Sequence, residues 1–244
     1  MASTDVSVVM AHGGWADGSS WARVITGLAA SGIKSVAAQL PLTDLSDDVA
    51  ALNRTIARVP GQVVLVSHAY AGAVIGLAQA DRVKALVYIN AFAPDDGEKL
   101  TDLFFRAGPH SQAPKLVPDN DNLLWLPDGA FQTAFAPNAV SDDLTVLAAA
   151  QRPLRFSCMT TPTVGPVLWR NVPTWYLVAE EDRMIIADTQ RFMAERMNAK
   201  IRSHAVDHAP LITAPGVVVD IIREAVEAVS GGERSQQRHR PDAK

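Results

Sequence analysis

Short runs of strand character, most of them apolar, recur along this chain, and stretches with helical spacing separate them. The runs are Val6–Ala11, Lys34–Ala38, Gln62–Ser67, Val83–Ile89, Pro173–Ala179 and Lys200–His204. Between the first two, Ser19 to Ser31 carries Trp21, Val24, Ile25 and Leu28 at helical spacing, with Gly32 as its stop. Asp47 to Val59 places Val49, Leu52, Ile56 and Val59 along one face, and Ala73 to Ala80, Ala187 to Met197 and Pro215 to Val229 complete the helical set. Strands that alternate with helices predict a parallel sheet covered on both faces, an α/β architecture with right-handed crossovers.

One stretch breaks the alternation. From Ala91 to Arg170 the chain is rich in Pro, Asp and bulky apolar residues, among them Phe104, Phe105, Trp125, Phe131, Phe135, Phe156 and Trp169. Roughly eighty residues are too many for a plain connection in a compact domain. The expectation is a core of residues 1–90 and 171–229, with an inserted, mainly helical cap over 91–170. Residues 230–244, Ser-Gly-Gly-Glu-Arg-Ser-Gln-Gln-Arg-His-Arg-Pro-Asp-Ala-Lys, offer almost nothing to bury and are expected to form a disordered, solvated tail.

A length of 244 residues suits one substantial α/β domain. With 48% apolar and 20% charged residues, the balance is that of a soluble globular protein. A net charge of −4 gives no reason to expect a nucleic-acid partner. The single cysteine, Cys158, excludes an intrachain disulfide and a cysteine-rich metal site, which suits a reducing cytoplasm. The first residues lack the pattern of a signal peptide, and no apolar run reaches the ~18 residues of a membrane span. The expected partner is a small molecule rather than a membrane or a nucleic acid.

The segment from Val63 to Gly72 constrains the chemistry most. An apolar run turns abruptly into small residues and then into a helix, the strand–sharp turn–helix context of a nucleophile elbow, G-x-S-x-G. Ala69 stands where that motif carries serine. A methyl group neither attacks a carbonyl nor shares a proton.

Four segments, in order, carry a family resemblance: His12-Gly13-Gly14-Trp15, Ser67-His68-Ala69-Tyr70-Ala71-Gly72, Ala179-Glu180-Glu181-Asp182 and Val206-Asp207-His208-Ala209-Pro210. From about residue 6 to 229 the chain resembles the α/β-hydrolase fold. Within it, the chain is most similar to the small, capped, cofactor-free enzymes that include plant methyl-salicylate esterases and hydroxynitrile lyases. The resemblance implies an oxyanion hole from the N–H groups of Gly14 and Tyr70. It implies His208 as general base and Asp182 as the carboxylate that fixes its tautomer. His204 competes for the first role. Glu180 and Glu181 compete for the second, as do Asp95 and Asp96, because some relatives carry the acid after the preceding strand. His12 and His68 read as structural, and Cys158 as a buried apolar residue. Trp15, Trp125 and Phe156 are expected to line the substrate pocket, and no metal or organic cofactor is expected.

Ser67, Ala69 and Ala71 all depart from the family's usual Gly-His-Ser-x-Gly-Gly. Alanine crowds the turn no more than serine does, so the elbow still forms, but the loss of the nucleophile costs acyl transfer several orders of magnitude. Three readings follow. The chain is a serine-type esterase with its nucleophile removed, or it uses His208 and Asp182 for acid–base chemistry such as decarboxylation of a β-keto acid or a lyase step, or it only binds a small molecule.

Overall fold

The alternation folds into one six-stranded parallel sheet. A computed structural model describes residues 6–79 and 81–237. The strands are β1 (Val6–Ala11), β2 (Lys34–Ala38), β3 (Gln62–His68), β4 (Val83–Ile89), β7 (Thr174–Ala179) and β8 (Lys200–His204), in the order β2-β1-β3-β4-β7-β8. A short antiparallel pair, β5 (Leu123–Leu124) and β6 (Leu154–Arg155), lies in the insertion between β4 and β7.

The central strands are apolar throughout because both of their faces are buried. Val64, Val66, Val87 and Leu177 pack on one side with α1 (Ala22–Ala30) and α9 (Pro215–Gln237). Val63, Leu65, Leu86 and Tyr176 pack on the other with α2 (Leu45–Arg58), α3 (Ala71–Gly76) and α7 (Ala187–Arg196). Neighbouring residues of a strand point to opposite faces, so a strand covered twice needs an unbroken apolar run. The edge strands β2 and β8 are largely exposed and carry Lys34, Lys200 and Arg202. Such charges discourage pairing with another chain.

Strand order reverses between β1 and β3: the chain runs outward to β2 from one and to β4 from the other. In an open parallel sheet, the loops leaving the carboxyl ends of two such strands diverge and leave a crevice. The loop Gly13-Gly14-Trp15 and the turn at Ala69 border it. Over it lies the insertion, with α4 (Leu100–Phe105), a π-helical turn at Phe131–Phe135, α5 (Ser141–Ala149), α6 (Ser157–Thr160) and a 3-10 turn at Leu168–Arg170. After β8, α8 (Pro210–Thr213) leads into α9.

Several boundaries differ from those expected. The first helix opens with a 3-10 turn, Gly18–Trp21, because the Asp17 carboxylate accepts from Ser19 N at 2.7 Å and tightens the start. α2 begins at Leu45 rather than Asp47, because Asp44 caps it through Ser46 N at 3.0 Å. α3 spans Ala71–Gly76 rather than 73–80, since the turn at Ala69 leads straight into it; Ala80 lies outside the described residues. α9 runs to Gln237, beyond the expected end at Val229 and into the segment expected to be a disordered tail. No proline follows until Pro241, and glycine within a helix costs only about 1 kcal/mol. Residues 238–244 lie outside the described residues. Among the described residues, no helix is long and apolar enough to cross a membrane.

Gly72 is where α3 meets the loop after β4. A Cβ there would lie 1.8 Å from the Phe92 carbonyl oxygen. Gly72→Ala is expected to lose about 3 kcal/mol or more of stability in urea unfolding. Gly76→Ala, whose Cβ would meet only the Tyr88 hydroxyl at 3.8 Å, is expected to stay within about 1 kcal/mol of the parent.

Candidate active site

Ala69 adopts a left-handed backbone conformation, with φ at +48°. That is rare for a residue with a Cβ, and here it is held by hydrogen bonds. The Ala69 carbonyl accepts from Phe92 N at 2.9 Å and from Gly72 N at 3.3 Å, while its own N–H donates to Ile89 O at 3.4 Å. The loop after β1 presses on the same turn: a Cβ on Gly13 would lie 2.9 Å from His68 Nδ1 and 3.1 Å from the Ala69 Cβ. Among the described residues, the N–H groups of Gly14 and Tyr70 donate to no protein acceptor. Both residues line one cavity with Ala69 and His208.

His208 follows β8 and is 1% exposed; Asp182 follows β7 and is 3% exposed. His208 Nδ1 lies 2.9 Å and 3.0 Å from the two carboxylate oxygens of Asp182. With that nitrogen donating to the carboxylate, the Nε2 lone pair is left free, and among the described residues Nε2 has no protein partner. The Asp182 carboxylate is satisfied on every side. It accepts from Met184 N (2.7 Å), Ile185 N (2.9 Å), Asn90 Nδ2 (2.9 Å) and Gln190 Nε2 (3.0 Å). Buried charge is tolerated only when its lone pairs are so engaged.

The competing residues lie elsewhere. Glu180 is paired with Arg191, and Glu181 is exposed. Asp95 pairs with Arg170, and Asp96 accepts from Gly165 N at 3.0 Å. His204 is half-buried at the end of β8, opposite Ala179 in register. His12 uses both ring nitrogens: Nδ1 donates to Gly13 O at 2.9 Å, and Nε2 accepts from Leu40 N at 3.0 Å. His68 Nε2 donates to His208 O at 2.7 Å and so supports the loop that presents the base candidate. Cys158 is buried, and burial pushes its thiol up to about 12. Among the described residues, no three His, Cys, Asp or Glu side chains are grouped as metal ligands would be.

The cavity is small, about 30 Å³, and mostly apolar residues such as Phe92, Phe104, Leu154, Met159, Met184 and Ile185 complete it. Trp15 forms part of its wall, but Trp125 and Phe156 do not. Trp125 is 43% exposed and donates to Asp119 at 3.1 Å. It lies in an extended segment between buried Leu124 and Leu126, and alternation turns the residue between them outward. Phe156 is 37% exposed, and its neighbours Leu154 and Met159 occupy the inner positions instead.

Sequence reasoning missed four buried polar residues. Asn90, at the end of β4 with φ at +34°, donates to both Asp182 and the His208 carbonyl. Gln190 on α7 reaches the same carboxylate. Asp207 accepts from Asn138 N at 2.9 Å, which ties the insertion to the base loop. Asp48 accepts from the Tyr70 hydroxyl at 2.6 Å and from Leu42 N at 2.7 Å. The available signal was a polar residue ending an apolar strand, as Asn90 does. Asp48 sits on a helix whose inward face is otherwise apolar, Gln190 sits beside another buried polar residue, Thr189, and nothing local marks either.

The model of the alpha/beta hydrolase family matches residues 8–221. The alpha/beta hydrolase nvfD of Aspergillus novofumigatus is 27% identical over 209 residues, which cover 78% of this chain and 82% of that protein. Polyneuridine aldehyde esterase superposes with a TM-score of 0.77 at 19% identity, over 90% of this chain and 98% of that one. A pyrethroid hydrolase from Sphingobium faniae gives 0.78 at 21%, over 91% and 98%. The methylesterase MES16 from Arabidopsis gives 0.75 at 16%, over 91% and 99%. At these identities the solved structures share the fold.

Buried titratable groups around the site oppose one another in acid. Burial lowers His12 to about 4 and holds His68 well below the usual imidazole value. Both therefore stabilise the fold above pH 6.5, and that stability is lost as pH falls towards the folded-state values. Burial raises Asp48 to about 6 against the hydrogen bonds it accepts, so its contribution has the opposite sign. It is present at low pH and lost as pH rises through about 6. Asp48→Asn removes this compensation. Between pH 6.5 and 4, urea unfolding is expected to show the variant losing up to about 3 kcal/mol more stability than the parent.

Proposed function

The chain belongs to the alpha/beta hydrolase family, and on that footing we propose that it is an enzyme of the carboxylic-ester-hydrolase type acting on a small apolar ester or carbonyl compound under its cap. One observation carries the reading: a buried His208–Asp182 pair opens on the same small cavity as Ala69 and the unpaired N–H groups of Gly14 and Tyr70.

His208 Nε2 is the general base, Asp182 orients it and stabilises the imidazolium, and the two N–H groups receive the negative charge that develops on a carbonyl oxygen. Ala69 occupies the nucleophile position, so no acyl-enzyme forms, and serine-type hydrolysis by this chain is impaired. What remains for an ester is attack by water. His208 takes the proton as the water oxygen bonds to the carbonyl carbon, and returns it to the departing alkoxide as the C–O bond breaks. The substrate's apolar groups match the apolar wall, and the reading calls for no metal or organic cofactor.

A second reading has its own support. Ala69 keeps the left-handed turn although it carries no hydroxyl. The turn's remaining use is to aim the Tyr70 N–H, and that serves an enolate as well as a tetrahedral oxyanion. Cofactor-free proton transfer by His208, as in decarboxylation of a β-keto acid or a lyase step, uses the same residues.

Ala69→Ser separates the two. The first reading expects a gain of at least about 10³-fold in kcat/KM on p-nitrophenyl esters of short acids, abolished by His208→Ala in the same chain and reduced about 10⁴-fold by Asp182→Asn. No gain, together with turnover of a β-keto acid by the parent chain, rejects it in favour of the second. Tight binding of a small carbonyl compound without turnover by either chain identifies a binding protein.

A further inference from the structure

Two spaces meet at Trp15. The inner one is the reaction cavity of about 30 Å³, bordered by Ala69 and His208. The outer one is a groove of about 300 Å³ between α1 and α5, lined in part by Ala22, Arg23, Asp143, Leu147, Ala150 and Ile212. Among the described residues, Trp15 alone lines both.

The inner space is small, whereas sites for small organic ligands run to about 300 Å³ or more. Any substituent beyond the shortest on the reacting carbonyl needs a second space. The groove offers one of suitable size and character. α5 packs over this seam without burying a single side chain, so the groove is left unfilled, and Leu147 and Ile212 give it apolar walls. Arg23 spans the seam by pairing with Asp143 at 2.9 Å and donating to Ile212 O at 2.6 Å.

Trp15 is built in as a fixed partition. Its indole Nε1 donates to Leu124 O at 2.9 Å, its carbonyl accepts from Arg152 N at 3.4 Å, and it is 8% exposed. Its φ is +60°, a conformation that favours glycine over any bulky residue. The ring therefore sits against a local backbone preference, at the position next to Gly14.

The geometry points to Trp15 as the residue that sets substrate length. It shuts the reaction cavity off from a groove whose apolar wall, with Leu147, Ala150 and Ile212, fits a linear alkyl chain, and so restricts the site to carbonyl compounds with short substituents. This rests on the reading of the His208 cavity as the reaction site. Binding of methyl ketones tests it without turnover. Calorimetry with butanone through 2-decanone is expected to show the parent gaining nothing beyond the shortest members. Trp15→Gly, which suits the left-handed backbone, is expected to gain about fourfold in affinity per added methylene. Trp15→Phe keeps a ring in the wall and is expected to gain less per added methylene than Trp15→Gly. Ala150→Trp fills the groove; it is expected to leave the parent's ketone binding unchanged and to abolish the gain in Trp15→Gly.

A parent whose affinity climbs with every methylene overturns the proposal. So does a folded Trp15→Gly chain with a flat profile, or loss of short-ketone binding in Ala150→Trp, which needs no change at Trp15. If short ketones bind the parent and Trp15→Gly stays flat, only the partition falls. If no ketone binds any chain, the reaction-site reading falls with it.

Discussion

The turn at Ala69 is held shut by the end of the neighbouring strand, and the site is assembled around that contact. Phe92 N donates to the Ala69 carbonyl, while Gly72 lies so close to the Phe92 carbonyl that no side chain fits between them. Forcing a residue with a Cβ into the left-handed region costs about 1–2 kcal/mol. Of the six non-glycine residues with positive φ among the described residues, three lie at the site: Trp15, Ala69 and Asn90. Strain persists only where the surroundings over-determine it. The sheet supplies the surroundings, because the elbow and the β4 loop leave adjacent parallel strands in register.

Hydrogen bonding distinguishes the buried histidines, which burial alone does not. His12, His68 and His208 are all nearly inaccessible. His12 has both nitrogens committed to backbone groups, and His68 spends Nε2 on the His208 carbonyl. His208 differs because Asp182 takes Nδ1 and nothing in the described protein takes Nε2. A base needs an accessible lone pair and a partner for the charge it acquires. His68 helps to hold this one in place, through the His208 carbonyl and with its ring 4.9 Å from that of His208 between centroids.

The sheet was legible in the sequence because a strand buried on both faces must be apolar at consecutive positions, and such runs stand out. The runs at Val6–Ala11 and Val83–Ile89 coincide with β1 and β4 residue for residue. The pairing of Asp182 with His208 was legible too, since each follows the carboxyl end of a strand and strands of one parallel sheet end side by side. The pocket was not. Trp125 and Phe156 are as apolar as Trp15, but a residue's hydrophobicity does not tell which way an irregular segment faces. Asn90 and Gln190 escaped for a related reason. A side-chain amide looks the same in sequence whether it meets water or a carboxylate ninety-two positions away, as Asn90 meets Asp182.

What the sequence by itself determined is local: the order of strands and helices, the glycines at the tight approaches, and the methyl group at position 69, which no folding can turn into a nucleophile. Tertiary structure decided everything that depends on distance across the fold. It set His208 rather than His204 against Asp182, surrounded that carboxylate with donors from the end of β4, from α7 and from the loops after β7 and β8, and placed Trp15 in the wall of the cavity beside Ala69. Propensity and chemical identity act over a few residues of chain. The crevice exists only where the ends of β1, β3, β4 and β7 and the loop after β8 converge, and sequence spacing does not encode that convergence.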